Sequence, residues 1–168
     1  MVKTADIKSV RKTLLTDTTL TQCAIYFKNY LHMPLVKGGL GNDYMNWLYV
    51  WRNNINMGLT TWAEVSDIEN TRSDCHAWGS SPNIEFFRTV LAIDRDAPGF
   101  SKIKIEPRLG ILTNVKGEIP HPHGKIVASY LIENRKWTIK IILPKKPPAA
   151  FLKSKHYLIK AGDNSFIL

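Results

Sequence analysis

The chain lacks several features that would place it in a class at once. Its two cysteines, Cys23 and Cys75, are too few for a disulfide framework. No stretch approaches about 18 consecutive apolar residues, the length that suggests a membrane-spanning helix, and the first residues form no apolar run of the signal-peptide type. We therefore expect a globular protein without a membrane partner. The compartment stays open, because a longer parent is compatible with the periplasm, secretion or the cytoplasm.

Acidic residues are scarce in the second part of the chain. Residues 101–168 carry thirteen Lys and Arg against four Asp and Glu, which accounts for the whole net charge of +9. A basic segment can indicate nucleic acid, an anionic polysaccharide or simple solubility. Here the lysines alternate with isoleucines, as in Lys102–Ile105, which is typical of strands with one solvated face. We favour the solvated face, and we expect no nucleic-acid partner because no recognition motif accompanies the charge.

Apolar residues recur at helical spacing through the first half of the chain. Two helices are predicted before residue 34, where Pro34 should end or kink the second near His32. A third helix should start after Asp43 and close at Gly58, and Pro82 suits the first turn of a fourth. The expected buried positions are Ile7, Val10, Leu14 and Leu15; Cys23, Phe27, Tyr30 and Leu31; Tyr44, Trp47, Leu48, Trp51 and Ile55; and Ile84, Phe87, Val90 and Leu91.

Beyond Asp94 the pattern changes to short alternating runs separated by turn signals. The predicted strands are 102–106, 111–115, 125–132, 137–143, 150–152, 157–159 and 165–168. Several short strands in about 70 residues indicate an antiparallel β-sandwich. We therefore predict a segregated α+β chain with a helical domain at residues 1–93 and a small β-sandwich domain at residues 94–168.

The loop between the third and fourth helices is unusually dense in functional groups. Residues 59–85 hold three Trp or His rings, five carboxylates and one arginine. Loops carry binding groups on a rigid scaffold. Aromatic faces bordered by carboxylates suit a sugar, since the rings stack on its C–H face and the charged oxygens bond to its hydroxyls. This loop is the predicted binding site.

Several motifs together resemble the C-terminal end of bacterial α-L-rhamnosidases of glycoside hydrolase family 78. The most specific are Thr60-Thr-Trp-Ala-Glu64 and Arg72-Ser-Asp-Cys-His-Ala-Trp78. The resemblance continues through residues 97–107, 117–124 and 160–168, so it covers essentially the whole chain. It implies the last helices of an (α/α)6 six-hairpin toroid followed by a C-terminal β-sandwich, and a carbohydrate partner that contains L-rhamnose.

The resemblance also implies roles for particular side chains. The family inverts the anomeric centre with two carboxyls about 6.5–9.5 Å apart, one acting as general acid and the other as general base. Glu64 matches the base, and His76 matches a sugar-contacting histidine. Trp62 and Trp78 are further substrate-binding candidates, with stacking favoured for Trp62 and a core position for Trp78. The alternatives are a surface glutamate at Glu64 and a packed, hydrogen-bonded histidine at His76.

Other charged residues of the loop are candidates for supporting roles. Arg72 and Asp74 are expected to pair and hold the shape of the loop, and Asp67 lies among them; a solvated pair is the alternative. The family's general acid lies in upstream segments with no counterpart here. We therefore expect this chain alone to be inactive, with the upstream part of the catalytic domain as its partner.

Two histidines, His121 and His123, form an H-x-H pair in the segment Pro120-His-Pro-His-Gly124. A structural zinc site needs four ligands, and no further ligand stands at suitable spacing. We predict no metal and no cofactor, and interpret the segment as a turn entering a strand. The alternative function for the chain is a non-catalytic module whose basic sandwich binds an anionic polysaccharide or a protein.

Overall fold

A computed structural model describes residues 9–10, 12–14, 16–145, 149–152 and 157–167. The chain forms two compact units, Met1–Asn83 and Ile84–Leu168. The first unit is helical and the second is built on two sheets. This arrangement confirms the predicted α+β class with helices first and strands second. The predicted domain boundary at residue 93 stays a prediction.

The described residues of the first unit form α1 (Ile25–Leu35), α2 (Tyr44–Trp47) and α3 (Tyr49–Asn56). A π-helical turn (Val36–Leu40) and a 3-10 turn (Gly41–Asp43) join α1 to α2. Gly39 in that connection has φ +90°, a conformation that glycine adopts without a steric penalty. Regular helical geometry is therefore interrupted at Gly39. Helical turns also occur at residues 9–10, 12–14 and 16.

Aromatic residues fill the core of the helical unit. His32 of α1 meets the ring of Tyr44 edge-on at 5.5 Å and lies 5.3 Å from Trp47 and 5.9 Å from Trp51. His32, Tyr44 and Trp51 are almost fully buried. Because these rings come from α1, α2 and α3, the cluster fixes the three helices against one another.

The buried face of α1 differs from the predicted one. Phe27 and Tyr30 are 56% and 55% exposed, and the buried residues are Ile25, Lys28 and His32. Of the predicted stripe, Cys23 lies before α1 in an irregular segment at Thr21–Ala24, and the face that carries Phe27 and Tyr30 points outward. Pro34 neither ends the helix near His32 nor shortens it, since α1 continues to Leu35.

Further helical predictions also need correction. Val10 and Leu14 are 54% and 37% exposed, so the first predicted stripe is not buried at these positions, while Ile7 and Leu15 lie outside the described residues. Ile55 of α3 is 58% exposed. The fourth predicted helix is observed as α4 (Ser81–Glu85) followed by a π-helical turn (Phe86–Val90). Its exposed members, Ile84 and Phe87, contradict the predicted burial.

The described residues of the second unit form eight strands. They are β1 (Ile93–Arg95), β2 (Lys102–Ile105), β3 (Asn114–His121), β4 (Gly124–Glu133), β5 (Lys136–Leu143), β6 (Ala149–Leu152), β7 (Tyr157–Ile159) and β8 (Gly162–Ile167). One sheet has the order β1-β2-β6-β7 and the other β3-β4-β5-β8. The second sheet is antiparallel throughout, whereas β2 and β6 of the first sheet run parallel.

Strand β3 shows where the sequence prediction failed. The predicted strand at 111–115 begins only at Asn114, and Ile111 is 75% exposed. The chain then continues as a strand through Gly117 and Pro120, residues that usually argue against one. Pro120 is tolerated because β3 lies at the edge of its sheet.

Apolar side chains alternate along the central strands of this second sheet. Ile126, Ala128 and Tyr130 of β4 are fully buried. The Tyr130 hydroxyl donates a 2.8 Å hydrogen bond to the Leu91 carbonyl, so the one polar atom of this ring is satisfied. Burial raises the pKa of Tyr130 well above its usual value, because the phenolate would be poorly solvated there.

Replacing Tyr130 by Phe should destabilise the second unit by about 1–3 kcal/mol, because the Leu91 carbonyl would lose its buried donor. Since the pKa of Tyr130 is raised in the folded state, its contribution is complete below about pH 10, the unfolded value, and is lost as pH rises further. Denaturant unfolding at neutral pH and above pH 10 measures both effects. Tyr30→Phe, at an exposed ring, is the matched control and should be nearly neutral.

Candidate active-site loop

The loop that follows α3 folds back on itself as two antiparallel segments. The Glu64 amide donates to the Ser73 carbonyl at 2.8 Å, and the His76 amide donates to the Trp62 carbonyl at 2.8 Å. The Thr61 hydroxyl also donates to the Asp74 carbonyl. These bonds bring the two motifs, Thr60–Glu64 and Arg72–Trp78, side by side. The structure therefore joins residues that are nine to fourteen positions apart in the sequence.

Asn54 ties this loop to the helical core. Its side chain is fully buried; its amide nitrogen donates to the Val50 carbonyl at 3.1 Å, and its amide oxygen accepts the Ala63 N–H at 3.0 Å. Ala63 lies between Trp62 and Glu64 and is itself fully buried. The position of these two candidate residues thus depends on one buried amide in α3.

A second anchor holds the far end of the loop. The Trp51 indole donates to the Gly79 carbonyl at 2.6 Å. A Cβ atom at Gly79 would lie 2.6 Å from the Trp62 Cβ and 3.2 Å from the Ile25 Cγ2. Glycine is required here because any larger residue would displace the Cβ atom of Trp62.

Glu64 is held by Arg72 in a two-bond ion pair. Arg72 Nη2 lies 2.5 Å from Glu64 Oε1, and Arg72 Nε lies 3.1 Å from Oε2. The Glu64 side chain is 22% exposed, whereas that of Arg72 is 84% exposed. The predicted pairing of Arg72 with Asp74 is wrong, since the guanidinium binds Glu64 instead. A carboxylate has about four lone-pair directions, so this pairing fixes Glu64 and still leaves acceptor positions for water.

Trp78 is exposed rather than part of the core. Its side chain is 62% exposed, which corrects the favoured core interpretation. One side stacks on Tyr26 of α1 with a centroid separation of 4.5 Å, and His76 meets it edge-on at 5.8 Å. The hydroxyls of Tyr26 and Tyr30 lie 3.4 Å apart, and this hydrogen bond raises the pKa of Tyr26. Trp78 therefore offers an open aromatic surface beside the half-buried His76.

The remaining loop candidates have local structural contacts. Asp67 accepts a 2.6 Å hydrogen bond from the Asn70 side chain, and both residues are exposed. Asp74 is exposed and contributes its backbone carbonyl to Thr61. Tyr26, Asn54 and Trp51 were not predicted as site residues. Asn54 could have been noticed, because it is a polar residue one turn after Trp51 on a buried helical stripe.

The H-x-H segment lies at the hairpin between β3 and β4. His121 Nδ1 accepts the His123 N–H at 3.2 Å, so Nε2 carries the ring proton and donates to the Phe100 carbonyl at 3.3 Å. Both ring nitrogens of His121 are thus engaged in holding the hairpin. This geometry matches the predicted turn that enters a strand.

The comparisons with known proteins agree on one family. Residues 92–152 match the bacterial alpha-L-rhamnosidase C-terminal domain. An alpha-L-rhamnosidase from Alteromonas sp. (strain LOR) is 30% identical over 81 residues, which is 48% of this chain and 9% of that protein. Within the residues that the structure describes, no helix has the length and apolar character needed to cross a membrane.

Two solved structures share the fold. The native rhamnosidase from Aspergillus terreus superposes with a TM-score of 0.77 at 16% identity, over 98% of this chain and 21% of that one. The family 78 rhamnosidase from Bacillus sp. GL1 superposes with a TM-score of 0.67 at 22% identity, over 74% of this chain and 14% of that one.

These matches identify the chain as similar to the C-terminal portion of a glycoside hydrolase. More specifically, residues 92–152 are similar to the C-terminal domain of bacterial α-L-rhamnosidases, which confirms the resemblance found in the sequence. The chain spans about a tenth of the curated relative and between a seventh and a fifth of the two solved structures.

Proposed function

We propose that this chain carries the base side of an inverting α-L-rhamnosidase active site, with Glu64 as general base. The observation that supports it is the loop geometry, in which Glu64 is fixed by Arg72 beside the segment that holds His76 and Trp78. The substrate would be a glycoside or polysaccharide with a terminal non-reducing α-L-rhamnose. Names of the related proteins agree with that substrate class.

The proposed role of Glu64 is to remove a proton from the water that attacks the anomeric carbon. A base must be held in one orientation at hydrogen-bond distance from that water. The two bonds from Arg72 provide this orientation and still leave lone pairs on the carboxylate free to accept. Arg72 is therefore a positioning residue. Asp67 and Asp74 act only on the shape of the loop.

The proposed sugar contacts are Trp62, His76 and Trp78. The open face of Trp78 suits the C–H face of a pyranose or of a leaving group, and its stacking on Tyr26 holds the ring in place. His76 stands edge-on to Trp78, where a ring nitrogen could bond to a sugar hydroxyl. Trp62 lies near the start of the loop, and its Cβ atom packs closely against Gly79.

Inversion also needs a general acid on the other side of the sugar. We place that acid outside these 168 residues, in helices of an (α/α)6 toroid of which α1 to α3 would be the last part. The two sheets would form the β-sandwich that follows, in a domain starting near residue 94. The hydrogen bond from Tyr130 in one sheet to Leu91, just before the first strand of the other, supports that packing.

Turnover of p-nitrophenyl α-L-rhamnoside tests this division of the site. The chain alone should release no p-nitrophenol above the uncatalysed rate, since protonation of the leaving oxygen contributes about 10²–10⁴ and one wall of the pocket is absent. Joined to, or mixed with, the upstream part of a catalytic domain, it should become active. Turnover by the chain alone would contradict the proposal.

The alternative, a non-catalytic module that binds an anionic polysaccharide through the basic sheets, has less support. Lys125 pairs with Glu118 at 2.7 Å, and Lys140 pairs with Asp163 at 2.9 Å. These pairs neutralise part of the positive charge on the strands. Salt-sensitive polysaccharide binding that survives loss of Glu64 and Trp62 would favour the module instead.

A further inference from the structure

An open, groove-like cavity of about 330 Å³ lies along helix α3, and neither Glu64 nor Arg72 lines it. Its size falls at the lower end of the range for ligand pockets. It is lined by Tyr49, Val50, Arg52, Asn53, Asn56 and Ser66. Positions 49, 52, 53 and 56 share one helical face, so a single stripe of α3 forms most of the wall and the loop residue Ser66 completes it.

The lining combines apolar surface with polar groups, and Arg52 gives it positive charge. Arg52 is held by a bond from Nη2 to the Met45 carbonyl. Asn53 and Asn56 supply amide groups that both donate and accept, and Ser66 supplies a hydroxyl. Among the described residues that line the cavity, none carries a carboxylate. A negatively charged group would therefore meet donors and no like charge.

A buried lysine contacts Tyr49, one of the residues that line the cavity. Lys28 is 3% exposed, and its Nζ lies 3.4 Å from the Tyr49 hydroxyl and 5.0 Å from the centre of the Tyr49 ring. The Tyr49 hydroxyl in turn donates to the Gln22 side chain at 3.4 Å. Because a buried charge is weakly screened, its potential extends through Tyr49 toward the cavity.

We propose that this cavity binds an acidic saccharide, namely a uronic-acid unit. The carboxylate of the sugar pairs with Arg52, and its hydroxyls bond to Asn53 and Asn56. The Tyr49 ring, which is 51% exposed, provides an aromatic face for the C–H side of the pyranose. A simple inorganic anion would need only donors, whereas a ring face and amide acceptors suit a sugar. The site does not involve Glu64 and stands apart from the function proposed above.

Calorimetric titration of the 168-residue chain with D-galacturonate and with neutral D-galactose tests the proposal. Galacturonate should bind at least about tenfold more tightly, since a charge-assisted bond to Arg52 is available only to it. Arg52→Gln should weaken galacturonate binding by about 10-fold to 100-fold. Lys140→Gln, the same charge change in the other unit, is the control and should leave the Kd unchanged.

Two further variants separate the parts of the site. Tyr49→Ala should weaken galacturonate binding about 3-fold to 10-fold by removing the ring face. Asn56→Leu should weaken galacturonate binding, because leucine blocks the cavity without altering its charge. An unchanged circular dichroism spectrum would verify that each variant is folded.

Three results would overturn the assignment. Equal binding of galactose and galacturonate would exclude a role for the charge. Equal binding of inorganic sulfate, with no effect of Tyr49→Ala, would exclude a sugar. A galacturonate Kd weaker than about 10 mM would exclude a useful site. None of these results bears on Glu64, whose role is tested by rhamnoside turnover.

Discussion

Glu64→Gln should lower kcat for an aryl α-L-rhamnoside by about 10²–10⁴ when this chain is joined to the upstream part of a catalytic domain. Glutamine keeps the shape of the side chain and one hydrogen bond to Arg72, but it cannot take a proton from water. The hydrogen bond from the Glu64 backbone N–H to the Ser73 carbonyl does not involve the side chain, so it should persist in the variant. The fold should therefore survive while the chemical step fails.

The matched control is Glu69→Gln, which removes another carboxylate from the same loop at an exposed position. It should leave kcat within about twofold, because substitutions at exposed sites without specific contacts have small effects. Equal losses in both variants would point to the charge of the loop rather than to a base at Glu64. An unchanged kcat in Glu64→Gln would exclude the assignment.

Asn54→Leu should destabilise the helical unit by about 1–3 kcal/mol, because the buried Ala63 N–H would lose its acceptor. That is a large part of the stability of a typical domain. The loop itself should be destabilised more than the rest of the helical unit, because Ala63 lies between Trp62 and Glu64. Amide hydrogen exchange at Glu64 and His76 should accelerate by about 10-fold or more as the loop opens.

Asn53→Leu is the control that tests whether the loss of stability depends on the buried position of Asn54 or on the change from Asn to Leu in itself. Asn53 is exposed and adjacent on the same helix, with its side-chain amide 3.5 Å from the Met57 sulfur. Its replacement should change the free energy of unfolding by less than about 0.5 kcal/mol. A similar loss in both variants would mean that Asn54 acts through helix propensity and does not anchor the loop.

The elements of the second unit were largely predictable because their signals are local. Strands β4 and β5 alternate between buried and outward residues, and the turn at 134–135 is polar, so their positions follow from the sequence. Strand β3 was misplaced because Gly117 and Pro120 disfavour strands, and only its position at a sheet edge explains them. The parallel pairing of β2 with β6 joins segments that are far apart in the sequence, so no local pattern predicts it.

The helical unit was less predictable at the level of burial. Phe27 and Tyr30 were assigned to the core on spacing alone, yet both are exposed while Lys28 of the same helix is buried. Spacing defines a face of a helix and cannot decide which face meets the protein. Trp78 is also exposed, and its ring is part of the proposed sugar contact.

The sequence pointed to the residues of the candidate loop and not to their contacts. The motifs around Glu64 and His76 were identified by resemblance, and the structure brings them together through two backbone hydrogen bonds. The partner of Arg72 was predicted wrongly, because Glu64 lies eight positions earlier in the loop and only the fold-back of the loop joins them. The anchor at Asn54 depends on the same fold-back.

The most direct test of Glu64 as general base is rescue of Glu64→Ala by azide in the joined catalytic domain. Azide attacks the anomeric carbon in place of water and has no proton to remove, so it needs no base. We expect turnover of p-nitrophenyl α-L-rhamnoside to recover with azide and to yield the β-configured rhamnosyl azide. No recovery, or an azide product of retained α configuration, would contradict the account.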